Sequence, residues 1–128
     1  MKLKFSDLQS FSDSYLELKD EKMPINIAFQ LSQISKAVSE CIQFYQEKAS
    51  YYFEQYAEKE GDNYKFTSDG TGIILKPEIA NEGRQKFKEL DSYEFPLEVK
   101  KIKLSSLNDL NLSPSVLTGL LPFIEEDE

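Results

Sequence analysis

The side chains able to do chemistry are few, and most are quickly accounted for. The chain has no histidine, which removes imidazole as a catalytic base and with it the Ser-His-Asp and Cys-His arrangements. Cys41 is the single cysteine, so there is no intrachain disulfide and no cysteine-rich zinc ligand set. It falls on an apolar helical seam and reads as a small core residue in a chain expected in a reducing compartment. Carboxylates such as Glu54 and Glu58, one helical turn apart, could hold a divalent ion, although a solvated helix face accounts for them with fewer assumptions. Asp62 and Asp69 lack the alternating acidic ligands of a calcium loop, and Gly70 and Gly72 lack the spacing and lysine of a phosphate loop. Lys100, Lys101 and Lys103 form the one local basic patch, as expected of a lysine-protected edge strand. No catalytic, cofactor-binding or metal-ligating residue is assigned, and no enzyme is expected. An all-carboxylate metal site assembled by the fold would be the remaining route to one.

One feature stands apart. Phe44, Tyr45, Tyr51, Tyr52, Phe53 and Tyr56 lie within thirteen positions of one predicted helix. At 100° per residue, Tyr51, Tyr52 and Phe53 alone point around most of its circumference, so one buried face cannot take them all. Either half pack inside and the rest lie against a following hairpin, or the cluster is a protein-binding surface, since interface cores are rich in aromatics. A base-stacking platform for nucleic acid would want nearby arginine, which is missing.

The elements that position these residues follow from periodicity and punctuation. Leu8, Phe11, Tyr15 and Leu18 form a stripe on a helix at about 6–19, with Ser6 and Gln9 spaced as a capping box. Pro24 opens a long helix to about Lys59. Its seam of Ile27, Leu31, Ile34, Val38, Cys41, Tyr45, Ala49, Tyr52 and Tyr56 is heptad-like, with one four-residue stutter. The first helix is too short to cover this seam, which predicts self-association through Ile34–Tyr56. Gly61-Asp62-Asn63 ends the helix. Tyr64 and Phe66 then face Ile73 and Leu75 across a turn at Ser68-Asp69-Gly70. Pro77 starts a helix to about Leu90 in which Gly83 is a weak point, and Leu97–Leu104 reads as a strand. Ser113-Pro114 is a cap followed by an N1 proline, Pro122 ends or distorts that last helix, and residues 125–128 form an acidic tail. The fold class is α+β and predominantly helical. A long central helix lies in a helical hairpin or bundle, with a small antiparallel sheet made by 64–75 and 97–104. At 128 residues and 14.8 kDa, the chain is one domain's worth of material.

The net charge of −8 sets fifteen basic against twenty-three acidic residues, which argues against direct binding to a phosphate backbone. No apolar run is long enough for a transmembrane span, and no signal peptide is recognised, so no membrane association is expected. The Met1-Lys2-Leu3-Lys4 opening with Asp7-Leu8, the Lys22-Met23-Pro24-Ile25 helix start, and the run Ile102-Lys103-Leu104, Leu107, Leu112-Ser113-Pro114, Leu117, Leu120, Ile124-Glu125-Glu126 go together. In these three pieces, about half the chain, the sequence resembles a family of short proteins encoded by tailed bacteriophages and prophages of Gram-positive bacteria. Residues 61–76 and Pro122 depart from that pattern. The resemblance implies a phage origin and helices packed with a small sheet, and it carries no activity and no catalytic residue.

The expected function is therefore non-catalytic. It is that of a minor virion component or assembly factor acting through a phage structural protein or a host protein, with homo-oligomerisation, in the infected cell's cytoplasm or in the virion. The alternative is an acidic inhibitor of a host or defence protein that imitates nucleic acid.

Overall fold

The computed structural model describes residues 1–70, 72–108 and 110–126. It is predominantly helical α+β, with four α-helices: α1 (Phe5–Leu18), α2 (Ile25–Tyr56), α3 (Ala80–Ser92) and α4 (Pro114–Leu120). Six two-residue strands pair into three small ladders. The chain gathers into two compact units, one of residues 1–43 with 94–128 and the other of residues 44–93. The long helix α2 contributes its first nineteen residues to the first unit and the remainder to the second.

In the first unit the predicted stripe of α1 is buried at Leu8, Phe11 and Leu18, while Tyr15 is half-buried. The predicted capping box at Ser6 and Gln9 does not form. The helix starts one residue earlier, where the Lys4 amide donates to Asp7 Oδ2 at 3.2 Å, and Gln9 instead donates to Asp13 at 3.1 Å. The crossing of α1 with α4 rests on small residues. A Cβ built at Gly119 would overlap Ser14 Oγ and the Ser10 carbonyl, so only glycine allows this approach. Ser14 is accordingly buried. Beside the crossing, Phe123 meets Phe11 edge-on, with ring centroids 4.8 Å apart. The Ser113-Pro114 signal behaves as expected: Ser113 Oγ accepts from the Val116 amide at 3.3 Å. Pro122 ends α4 in a 3-10 turn over Leu121–Phe123. Ile27, Leu31, Ile34 and Val38 of α2 are each no more than 2% exposed and belong to the core.

The sheets depart from expectation. β1 (Lys2–Leu3) pairs antiparallel with β4 (Phe95–Pro96), and Met1 closes the ladder through both its ammonium and its carbonyl to Leu97. Of the predicted strand 97–104, only β5 (Ile102–Lys103) forms. It pairs parallel with β6 (Ile124–Glu125), which takes up Glu125, the first residue of the expected acidic tail. Asp127 and Glu128 of that tail lie outside the described residues.

In the second unit α2 stops at Tyr56, three residues early, because the following chain is drawn into strand pairing. The Lys76 amide donates to the Tyr56 carbonyl at 2.8 Å, Ala57 bridges Leu75, and Glu58 donates to Ile74. Gly61-Asp62 is thus a hairpin turn rather than a helix stop. β2 (Lys59–Glu60) returns as β3 (Asn63–Tyr64), with Gly61 at φ +67°. The predicted Phe66–Ile73 facing holds across the 68–70 turn, but Tyr64 pairs with Lys59 and Leu75 with Ala57. The single antiparallel sheet expected from 64–75 and 97–104 is therefore replaced by separate ladders. Pro77 opens a 3-10 turn over Pro77–Ile79 that leads into α3. Gly83, expected to weaken that helix, is buried because it lets α3 approach α2. A Cβ there would stand 3.0 Å from Tyr56 Cβ and 3.3 Å from Leu75 Cδ1.

Candidate functional site

The aromatic cluster lies wholly in the second unit, and its members divide by direction. Tyr52 and Phe53 turn toward α3 and share one partner, Phe87. Tyr52 meets that ring edge-on at 5.8 Å, and Phe53 lies tilted to it at 5.2 Å. Phe53 also reaches Tyr64 of β3 at 5.8 Å, and Tyr52 stands 6.2 Å from Tyr56. Such offset and edge contacts are the favoured geometry of aromatic pairs and tie α2, α3 and the hairpin together. Tyr56 is buried, and burial together with the Glu82 carboxylate pushes its phenol above the usual range.

Tyr45 is half-buried and donates to Asp91 Oδ1 at 2.5 Å. Burial first, and the Asp91 hydrogen bond and charge second, push its phenol up to about 12. It therefore stays neutral at any ordinary pH and acts as a tie between α2 and α3.

Phe44 and Tyr51 point the other way and remain 46% and 53% exposed. They stand seven positions apart on one face of α2, with Lys48 between them. The Lys48 ammonium lies 5.9 Å from the Phe44 ring centroid and 6.0 Å from that of Tyr51, within cation–π range of both. Glu47 completes a shallow depression of about 260 Å³ with these three residues. Gln55 donates to the Tyr51 hydroxyl at 2.9 Å and so steadies the far end of the ridge. This surface offers flat apolar faces and one cation. It has no nucleophile beside a base.

The other candidates resolve individually. Glu54 and Glu58 do not form a metal pair, because α2 ends between them. Glu54 instead accepts from the Tyr64 hydroxyl at 2.7 Å and from Lys59 at 3.1 Å, and these bonds hold its carboxyl below the usual range. No group of three His, Cys, Asp or Glu residues able to hold a metal ion occurs among the described residues. Cys41 is half-buried, and burial raises its thiol, with the Glu40 charge adding to the effect. Lys100 and Lys101 are exposed, and Lys103 sits in β5. No helix among the described residues is long and apolar enough to cross a membrane.

The expected uncovered seam of α2 is not found. Ile34, Val38 and Tyr56 are buried, and Cys41, Tyr45, Ala49 and Tyr52 are half-buried within the chain itself. The reason given for self-association through that seam therefore falls away. Sequence reasoning placed Phe87 and Gly83 on the third helix but missed their part, and that of Asp91, in deciding which rings turn inward. No family model, curated protein or solved structure matches the chain.

Proposed function

We propose that the protein is a non-catalytic interaction module that binds a protein partner through the Phe44–Lys48–Tyr51 ridge of α2, acting as a minor virion component or assembly factor of a tailed phage. The observation that carries this reading is the exposure of two large aromatic rings, spaced to flank one lysine, when three neighbours of the same cluster are packed against Phe87, Tyr64 and Asp91 and the fourth, Tyr56, is buried. Aromatic side chains give large contact area at low conformational cost and dominate interface energetics. The phage setting rests on the resemblance of the chain's two ends and its Lys22–Ile25 helix start.

The acidic-mimic alternative gains nothing from the distribution of charge. Acidic residues outnumber basic ones by 13 to 8 in the first unit and by 10 to 7 in the second, so the acidic excess is divided between the two.

Capture of the tagged protein from phage-infected, nuclease-treated cells tests the reading. A phage head or tail protein should come down with the wild type and be lost with Phe44→Ala/Tyr51→Ala, while the variant's melting temperature stays unchanged. Retention of the same partner by that variant, or loss of the partner only in moderate salt, would contradict it.

A further inference from the structure

A second surface, in the first unit, has properties that the ridge lacks. A groove of about 410 Å³ runs between one face of α2 and the segment Glu98–Lys100. Its floor includes Ile34, which is buried, and Val99, which is half-buried. Phe29 stands at its margin with 63% of its surface exposed, and Ile25, one turn earlier, is 85% exposed. One ring and one aliphatic chain thus stand open a turn apart, an exposed apolar patch on a helix whose opposite face is core.

The charges at the rim bear on what covers it. The helix wall carries Lys36 and Glu40, and the opposite wall carries Glu98 and Lys100. Each wall thus has one charge of each sign, the sum is zero, and none of the four joins an ion pair among the described residues. A uniformly acidic or basic partner would set two of the four against like charge. A two-fold symmetric contact presents the same patch from both sides and needs a patch complementary to itself, which a rim of this kind provides.

We propose that a second copy of the chain docks here. The two Phe29 rings would pack beside the two-fold axis over the groove floors, and Lys36 and Lys100 of each copy would meet glutamates of the other. Paired aromatic rings near the centre of an interface, enclosed by charges at its rim, form the usual arrangement in which a few buried anchors carry the affinity. The contact uses no residue of the Phe44–Lys48–Tyr51 ridge and stands whether or not that ridge binds a partner.

Sedimentation equilibrium of the full chain over a wide concentration range, with two sets of variants, tests the proposal. The wild type is expected to dimerise, and Phe29→Ala to weaken the dimer at least about tenfold. Lys36→Glu/Lys100→Glu and Glu40→Lys/Glu98→Lys should each be monomeric alone yet form a mixed dimer when combined, which also demonstrates that both variants fold. A wild type that stays monomeric to about 1 mM would overturn the proposal. So would a dimer indifferent to Phe29→Ala and to both rim variants, or a groove occupied only by a foreign protein.

Discussion

The two units close their helices by opposite means. In the first, α1 and α4 approach through Ser10, Ser14 and Gly119, so closely that the contact includes a backbone carbonyl. In the second, α2 and α3 are joined by rings. Tyr52 and Phe53 grip Phe87, and one glycine, Gly83, admits the Tyr56 side chain. Small-residue contact fixes two helices tightly and leaves nothing over. Ring packing reaches further, yet it needs rings in several directions, and a helix that supplies them so densely has some to spare. Phe44 and Tyr51 are that surplus, and a surplus of exposed aromatic surface is what a binding site requires.

The sharpest way to break this contrast is at the glycines. Gly119→Ala should destabilise the first unit by about 3 kcal/mol, because the added methyl meets the Ser10 carbonyl, which cannot rotate away. Thermal unfolding would record the loss as a fall of roughly 10 °C. Phe53→Ala comes next at about 2 kcal/mol, since it removes a half-buried ring that touches both Phe87 and Tyr64. Gly83→Ala should cost less, about 1 kcal/mol. Its new methyl stands 3.0 Å from Tyr56 Cβ, a tight but adjustable contact, and alanine returns up to about 1 kcal/mol of helix propensity. A larger effect at Gly83 than at Gly119 would reverse the contrast.

Alkali probes the second unit by another route. The Tyr45 phenol is pushed up to about 12, so the fold holds its proton more tightly than the unfolded chain, whose phenols titrate near 10. That stabilisation is complete below pH 10 and drains away as pH rises toward 12. Tyr56 and Tyr64 are shifted in the same direction and add to the same loss. Tyr45→Phe should therefore flatten the decline of melting temperature between pH 10 and 12. An unchanged slope would mean that the Asp91 tie contributes little.

Much of this organisation was legible in the residues, and the gaps have a common cause. The stripe of α1, the seam of α2 and the Ser113-Pro114 helix start all rest on contacts within a few positions, which periodicity and capping chemistry report directly. What was missed depends on pairs far apart in the chain. The end of α2 at Tyr56 is set by the Lys76 amide, the parallel pairing of β5 with β6 by residues twenty-two positions apart, and the need for glycine at 119 by Ser10 and Ser14. The candidate site shows the same limit. The angular spacing of Tyr51, Tyr52 and Phe53 required that some rings face outward. Which ones do so was decided by Phe87 and Asp91 on α3, which no local pattern could reveal.

The most direct test of the division within the aromatic cluster is a pair of thermal melts, of Phe44→Ala/Tyr51→Ala and of Tyr52→Ala/Phe53→Ala. The outward pair should melt within about 1 °C of the wild type, as surface substitutions do, and the inward pair at least about 8 °C lower. A large loss from the outward pair, or none from the inward one, would mean that the exposed rings are part of the fold and not free to bind.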